Sequence, residues 1–201
     1  MLETLKEQKE IKSICVYCGS SNAVDEKYKE AARKLGTALG KRGWQLVYGG
    51  SRVGLMGITA DATLEAGGKA VGIIPRFIQV REIAHEHLTE FHMVETMHER
   101  KMMMVERSDA FVVLPGGVGT MDETFEVLTW RQLGLHDKPI IIANIDGYWD
   151  HFLALVKNIA DEKFMGQEHL GIFSVTDNVE EIPDLIENSR CQTFDPSTKW
   201  I

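Results

Sequence analysis

Short, almost wholly apolar runs alternate along this chain with longer stretches in which apolar residues recur every three or four positions. The runs are "SICVYC" (13–18), "WQLVY" (44–48), "KAVGIIP" (69–75), "FHMVE" (91–95), "AFVVLP" (110–115) and "KPIIIANI" (138–145), with "GIFSVT" (171–176) a candidate seventh. After the first run, Tyr28, Ala31, Ala32, Leu35, Ala38 and Leu39 keep a helical stripe that Gly43 ends. Further helices are predicted from the glycine turn after Tyr48 through Ala66, from "TMHERK" to about Ser108, and from the turn after Pro115 to about Leu133. "WDHFLALVKNIADEKF" and "NVEEIPDLIEN" supply two more, and a polar loop with "REIAHEHLTE" joins the third run to the fourth. Strands apolar on both faces, alternating with helices, predict a doubly wound parallel sheet.

Length and charge narrow this picture. The 201 residues predict one domain, burying roughly 70% of its unfolded surface. It is expected to span 12–190, after a polar lead-in (1–11) and before a tail (191–201) without readable pattern. The net charge of -8 argues against nucleic acid and anionic membranes as partners, because both need a basic surface. No apolar run approaches a membrane span, and "MLETLKEQKEIK" is too charged for an export signal. With three cysteines, an odd number, the expected compartment is the reducing cytoplasm. Cys15 and Cys18 form a lone CxxC inside a strand pattern, which reads as structural because two thiols do not complete a zinc site. His85 and His87 have no third ligand in sight, so no metal is expected.

Ligands of such sheets bind at the carboxyl ends of the strands, and three strand ends here carry small residues. These are "GSS" from Gly19 and Ser20, "GGSRVGLMG" from Gly49 and Gly50, and "GGVGT" over Gly116, Gly117, Val118, Gly119 and Thr120. None matches the nucleotide-hydrolase P-loop, and Asp122 breaks the dinucleotide fingerprint at its last glycine. Three such turns on one sheet edge favour a phosphate-bearing ligand over plain tight turns.

Two capping boxes leave two residues open to a second reading. In "TMHERK", Thr96 caps Glu99, and Arg100 and Lys101 then fall near the positive end of a helix dipole. They are either solvated surface cations or residues whose repulsion a bound anion offsets, Arg100 offering a planar fork. In "TMDE", Glu123 either caps Thr120 or is a carboxylate for water activation or oxocarbenium stabilisation beside a phosphate. The residues alone leave both pairs of readings open.

Together, "PGGVGTMDE", "MHERK" and "VYGGSRVGLMG" resemble the motifs of the LOG family, the cytokinin riboside 5′-monophosphate phosphoribohydrolases. The similarity runs from about Lys12 to Glu187. It implies a Rossmann-like α/β homodimer, needing no metal or cofactor, that cleaves a nucleoside monophosphate to free base and ribose 5-phosphate. The resemblance places the catalytic arginine on Arg100 and the catalytic glutamate on Glu123. It places substrate contacts on Glu82, Lys101, Gly116, Gly117, Val118, Gly119, Thr120, Met121, Asp122 and Thr129. Two positions depart from the family pattern: Asp122 replaces a common glutamate, and Val80 replaces a proline two residues before Glu82. A non-catalytic nucleotide- or cofactor-binding module on the same fold is the alternative. Lysine decarboxylation has no support, since no pyridoxal-phosphate lysine and partner set is identifiable.

Overall fold

The computed structural model describes residues 12–79 and 85–189. The strands are β1 (Ser13–Tyr17), β2 (Gln45–Tyr48), β3 (Lys69–Pro75), β4 (Glu90–Val94), β5 (Ala110–Val113), β6 (Ile140–Ala143) and β7 (Ser174–Thr176). They form one sheet in the order β4-β3-β2-β1-β5-β6-β7, and every neighbouring pair is parallel. The helices are α1 (Glu26–Lys41), α2 (Gly54–Glu65), α3 (Arg76–Gln79), α4 (Met97–Glu106), α5 (Val118–Gln132), α6 (Asp150–Asp161) and α7 (Ile182–Asn188). No described helix is long and apolar enough to cross a membrane.

The period-two geometry of β1 divides the core. Ile14, Val16 and Cys18 face one apolar layer with α1, α2 and α7, whereas Cys15 and Tyr17 face another with α4, α5 and α6. The two cysteines of the CxxC thus point to opposite faces of the sheet. Burial pushes both thiols far above the ordinary range, as expected of structural cysteines. On the first face α1 lies almost on α2. A side chain at Gly36 would start 2.4 Å from the Thr59 carbonyl, and one at Gly40 would start 2.5 Å from that of Thr63.

Strand ends differ from the sequence reading by a few residues. Gly171 and Ile172, expected in the seventh strand, belong to a 3-10 turn over Gln167–Ile172, leaving β7 three residues long. The single turn α3 was not expected, because four residues are too few to show a period. The chain steps outward from β1 to β4 and then returns to β5 on β1's other side. The carboxyl ends of β1 and β5 therefore flank the point where the winding reverses, where open α/β sheets bind ligands.

Candidate active site

A cavity of about 340 Å³ opens at that point, between the turn after β1, the turn after β5 and the first turns of α4 and α5. The loops at its floor are fastened backbone to backbone, with the Gly19 N–H donating to the Pro115 carbonyl at 3.0 Å.

One wall of the cavity is the start of α5. Gly117 is the N-cap and no side chain caps the helix, so its leading N–H groups retain their field and their donors. The glycines before and inside it have different causes. At Gly116 a side chain would begin 2.1 Å from the Thr120 hydroxyl, so internal packing requires glycine. At Gly117 and Gly119 a Cβ would meet nothing within 4 Å, and neither has a positive φ. No contact among the described residues calls for glycine at those two positions; the space beside them faces the cavity.

The other two glycine turns are not equivalent to this one. The start of α2 is already occupied: the Gly54 N–H donates to Asn22 Oδ1 (2.8 Å) and the Leu55 N–H to the Gly19 carbonyl (3.0 Å). Gly50, at φ +75°, lies against the β3 backbone, where an added Cβ would come within 3.2 Å of the Ile73 nitrogen. Gly49 borders the cavity, but its bareness makes room for protein: a Cβ there would sit 2.2 Å from Arg100 Nη2. Of the three glycine turns, the one after β5 leaves open space and free N–H groups at the cavity, and Gly19 and Ser20 border the same space.

Arg100 and Glu123 meet across the cavity. Thr96 and Glu99 form the capping box expected for α4, which fixes the first turn that carries Arg100. The Arg100 guanidinium donates through Nε to the Ile73 carbonyl (3.1 Å) and pairs through Nη1 with Glu123 Oε1 (3.0 Å). Its side chain is only 12% exposed and that of Glu123 10%, which rules out a solvated surface cation. The unfavourable position of Arg100 on its helix is relieved by the glutamate of the chain itself. Glu123 does not cap Thr120, because α5 begins at Val118 and both residues lie within it. Burial raises the Glu123 carboxyl above its ordinary value, against the opposing pull of Arg100. The result is a carboxylate more basic than usual, bordering the same cavity as the uncapped start of α5.

Other expected residues lie further out. Lys101 is buried, but its ammonium is shared between Asp122 Oδ2 and Glu126 Oε1, both at 3.1 Å, tying α4 to α5. Its pKa is raised by these two carboxylates despite partial desolvation. Met121 and Asp122 follow the cradle without bordering the cavity, and Thr129 is exposed further along α5. Glu82 and Val80 lie outside the described residues. His85, far from being a ligand, pairs through Nε2 with Asp61 Oδ1 at 2.9 Å. Sequence reasoning missed the apolar wall of Met56, Ile74, Pro75, Ile78, Met97 and Met104. Met104, only 1% exposed, belongs to the core as well as to this wall. Pro75 ends β3 and Met97 opens α4, so the carboxyl-edge rule could have found both.

Fold and site define the class: an open, doubly wound α/β protein with its ligand cleft at the β1/β5 reversal. Residues 56–186 match the sequence profile of the family described as "Possible lysine decarboxylase". The chain is 43% identical over 176 residues to the cytokinin riboside 5′-monophosphate phosphoribohydrolase LOG5 of Arabidopsis thaliana, covering 88% of this chain and 77% of that one. It is 48% identical over 155 residues to the cytokinin riboside 5′-monophosphate phosphoribohydrolase of Rhodococcoides fascians, covering 77% and 78%. Among solved structures, the molybdenum cofactor binding protein of Rippkaea orientalis shares the fold, with a TM-score of 0.68 at 20% identity over 90% of this chain and 98% of that one. The chain belongs to the LOG family of phosphoribohydrolases.

Proposed function

We propose that this protein hydrolyses the N-glycosidic bond of adenine-type (cytokinin) nucleoside 5′-monophosphates, releasing the free base and ribose 5-phosphate. The observation that carries the reading is the buried Arg100–Glu123 pair opening beside the uncapped start of α5. The 5′-phosphate rests on the N–H groups at Gly117 to Thr120, where Gly117 and Gly119 leave space. That anchoring brings the sugar to Glu123, and the base to the apolar wall of Met56, Ile78 and Met97, which suits a flat ring with or without an isoprenoid chain.

In the reaction the C1′–N bond breaks with its electrons going to the base, which takes up a proton from solvent water, and a water oxygen bonds to C1′ while its proton passes by way of Glu123 back to solvent. Glu123 accepts a proton from that water, a task its raised basicity favours, and its charge stabilises the cationic sugar. Arg100 orients phosphate or ribose oxygens and holds Glu123 in place. Lys101 and Asp122 brace the two helices; Gly116, Met121 and Thr129 are proposed as substrate contacts from the resemblance. Glu82 remains a proposed substrate contact from the resemblance. A non-catalytic binder is disfavoured, because a buried carboxylate beside an anion cradle weakens binding unless it serves chemistry.

The reading extends to a cytoplasmic homodimer. The exposed apolar side chains of Phe77, Phe91, Met93 and Met102 are surface that a second copy would cover. The test of function incubates purified protein with AMP, a prenylated AMP and the two matching nucleosides, with free base measured by chromatography. Monophosphates should be cleaved and nucleosides spared, since binding energy from the phosphate positions the reacting centre. Equal cleavage of adenosine and AMP would defeat the phosphate argument.

A further inference from the structure

The turn after β6 reaches across to the anion cradle. The Tyr148 hydroxyl donates to the carbonyl of Gly116 at 2.7 Å, joining residues thirty-two positions apart. Tyr148 is set firmly for this. Asn144 Oδ1 accepts the Trp149 N–H (2.7 Å), and its Nδ2 donates to Asp150 Oδ1 (2.8 Å), closing the turn. Asp146 in the same turn is ion-paired with Lys27 of α1. The Tyr148 ring stands edge-on to Tyr28 at 5.4 Å and to Trp149 at 4.9 Å.

The bonded carbonyl belongs to the same planar trans peptide as the Gly117 N–H, so the two point in opposite directions. This peptide lies between two glycines, where rotation of the whole unit meets little steric resistance. In one orientation its N–H faces a bound phosphate; in the flipped one its carbonyl would, and would repel it. We propose that Tyr148 is a positioning residue that locks this peptide, turning the Gly116 carbonyl away from the cleft and the Gly117 N–H into it. Tyr148 does not touch substrate; it selects the binding-competent orientation of one peptide. Among the described residues the hydroxyl makes no other hydrogen bond, so its removal should leave the rest of the fold as it is.

This inference rests on the phosphate cradle proposed above, and the experiment separates the two. In Tyr148→Phe the ring and its edge contacts remain while the hydroxyl is lost. Binding of ribose 5-phosphate and of AMP is titrated, together with AMP and adenosine turnover and thermal melting. The expected result is about 10–150-fold weaker binding of both phosphate-bearing ligands, the worth of about one charge-assisted hydrogen bond. KM for AMP should rise in step, kcat should stay within about threefold, and melting should shift by no more than about 2 °C. Tyr148→Ala, which also loses the ring, should weaken phosphate binding as much and melt lower, separating packing from the hydroxyl. If the wild-type protein binds neither phosphate ligand, the cradle reading falls and this inference with it. If the wild type binds both and Tyr148→Phe binds them equally well, the cradle stands and the role of Tyr148 is overturned. A loss confined to kcat would overturn it as well, because a locked peptide acts on affinity.

Discussion

Replacing Gly119 by alanine should make the protein more stable and less active. Gly119 is the second residue of α5, its φ is not positive, and an added Cβ would meet no atom of the described residues within 4 Å. Alanine is favoured over glycine inside a helix by about 0.8–1 kcal/mol; in the first turn, where fewer hydrogen bonds are at stake, about 0.5 kcal/mol is a fair expectation. For a chain of this size that raises the melting temperature by about 1–2 °C. The methyl group, however, occupies the space in which the phosphate rests. Displacing the reacting sugar by about 1 Å costs on the order of 10²-fold in kcat/KM. The assay pairs a thermal melt of the ligand-free protein with base release from AMP. Gly116→Ala is the control with the opposite sign: its methyl group would run into Thr120, so melting should fall together with activity. A Gly119→Ala protein with higher melting and wild-type turnover would refute the reasoning, because the open side of that glycine would then have no ligand to admit.

Glu123→Gln keeps the side-chain shape, so nucleotide binding should persist or tighten while turnover falls by roughly 10²–10⁴; unchanged turnover in a steady-state assay would remove Glu123 from the chemistry. Arg100→Lys keeps the charge but cannot reach both the Ile73 carbonyl and Glu123 as the fork does, so activity should drop about 10–100-fold with folding retained. Wild-type rates would make the fork dispensable. His136 gives a pH signature: its Nε2 bonds the Val127 carbonyl and its Nδ1 accepts the Lys138 N–H, an arrangement that suits the neutral ring. Burial holds its pKa down to about 4 against an ordinary 6.5, so its contribution is present above pH 6.5 and is lost as pH falls toward 4. Discounted for the part-exposed ring, the loss is about 2 kcal/mol. Urea unfolding at pH 7 and pH 4.5 should show a smaller drop for His136→Gln than for the wild type; equal drops would rule the histidine out.

The order of strands and helices was legible because buried parallel strands leave continuous apolar runs and their crossover helices leave stripes. β3 matches its predicted span, Lys69–Pro75. The four residues of α3 were illegible for want of length, and the shortened β7 because an apolar "GIF" reads the same in a strand and a 3-10 turn. Among candidate site residues, the sequence brought Arg100 and the "GGVGT" glycines to the correct edge of the sheet. It did not tell which glycines face the cavity and which merely admit Thr120 or Arg100, since that depends on neighbours distant in sequence. The two readings of Glu123 were separable only once the helix start was known: a cap at Gly117 puts the glutamate one turn too deep to cap anything.

The occupied start of α2 has a consequence for ligand size. Both α2 and α5 begin beside this cleft after glycine turns, and in dinucleotide-binding sheets such a helix end and its glycine turn hold a pyrophosphate. Here Asn22 and the Gly19 carbonyl already take the Gly54 and Leu55 N–H groups. A second phosphate group would therefore find carbonyl and amide oxygens where it needs donors, and beyond the cradle it would meet Glu123. On the proposed function, the free helix donors at this cleft serve one phosphate group, which is what a nucleoside monophosphate carries.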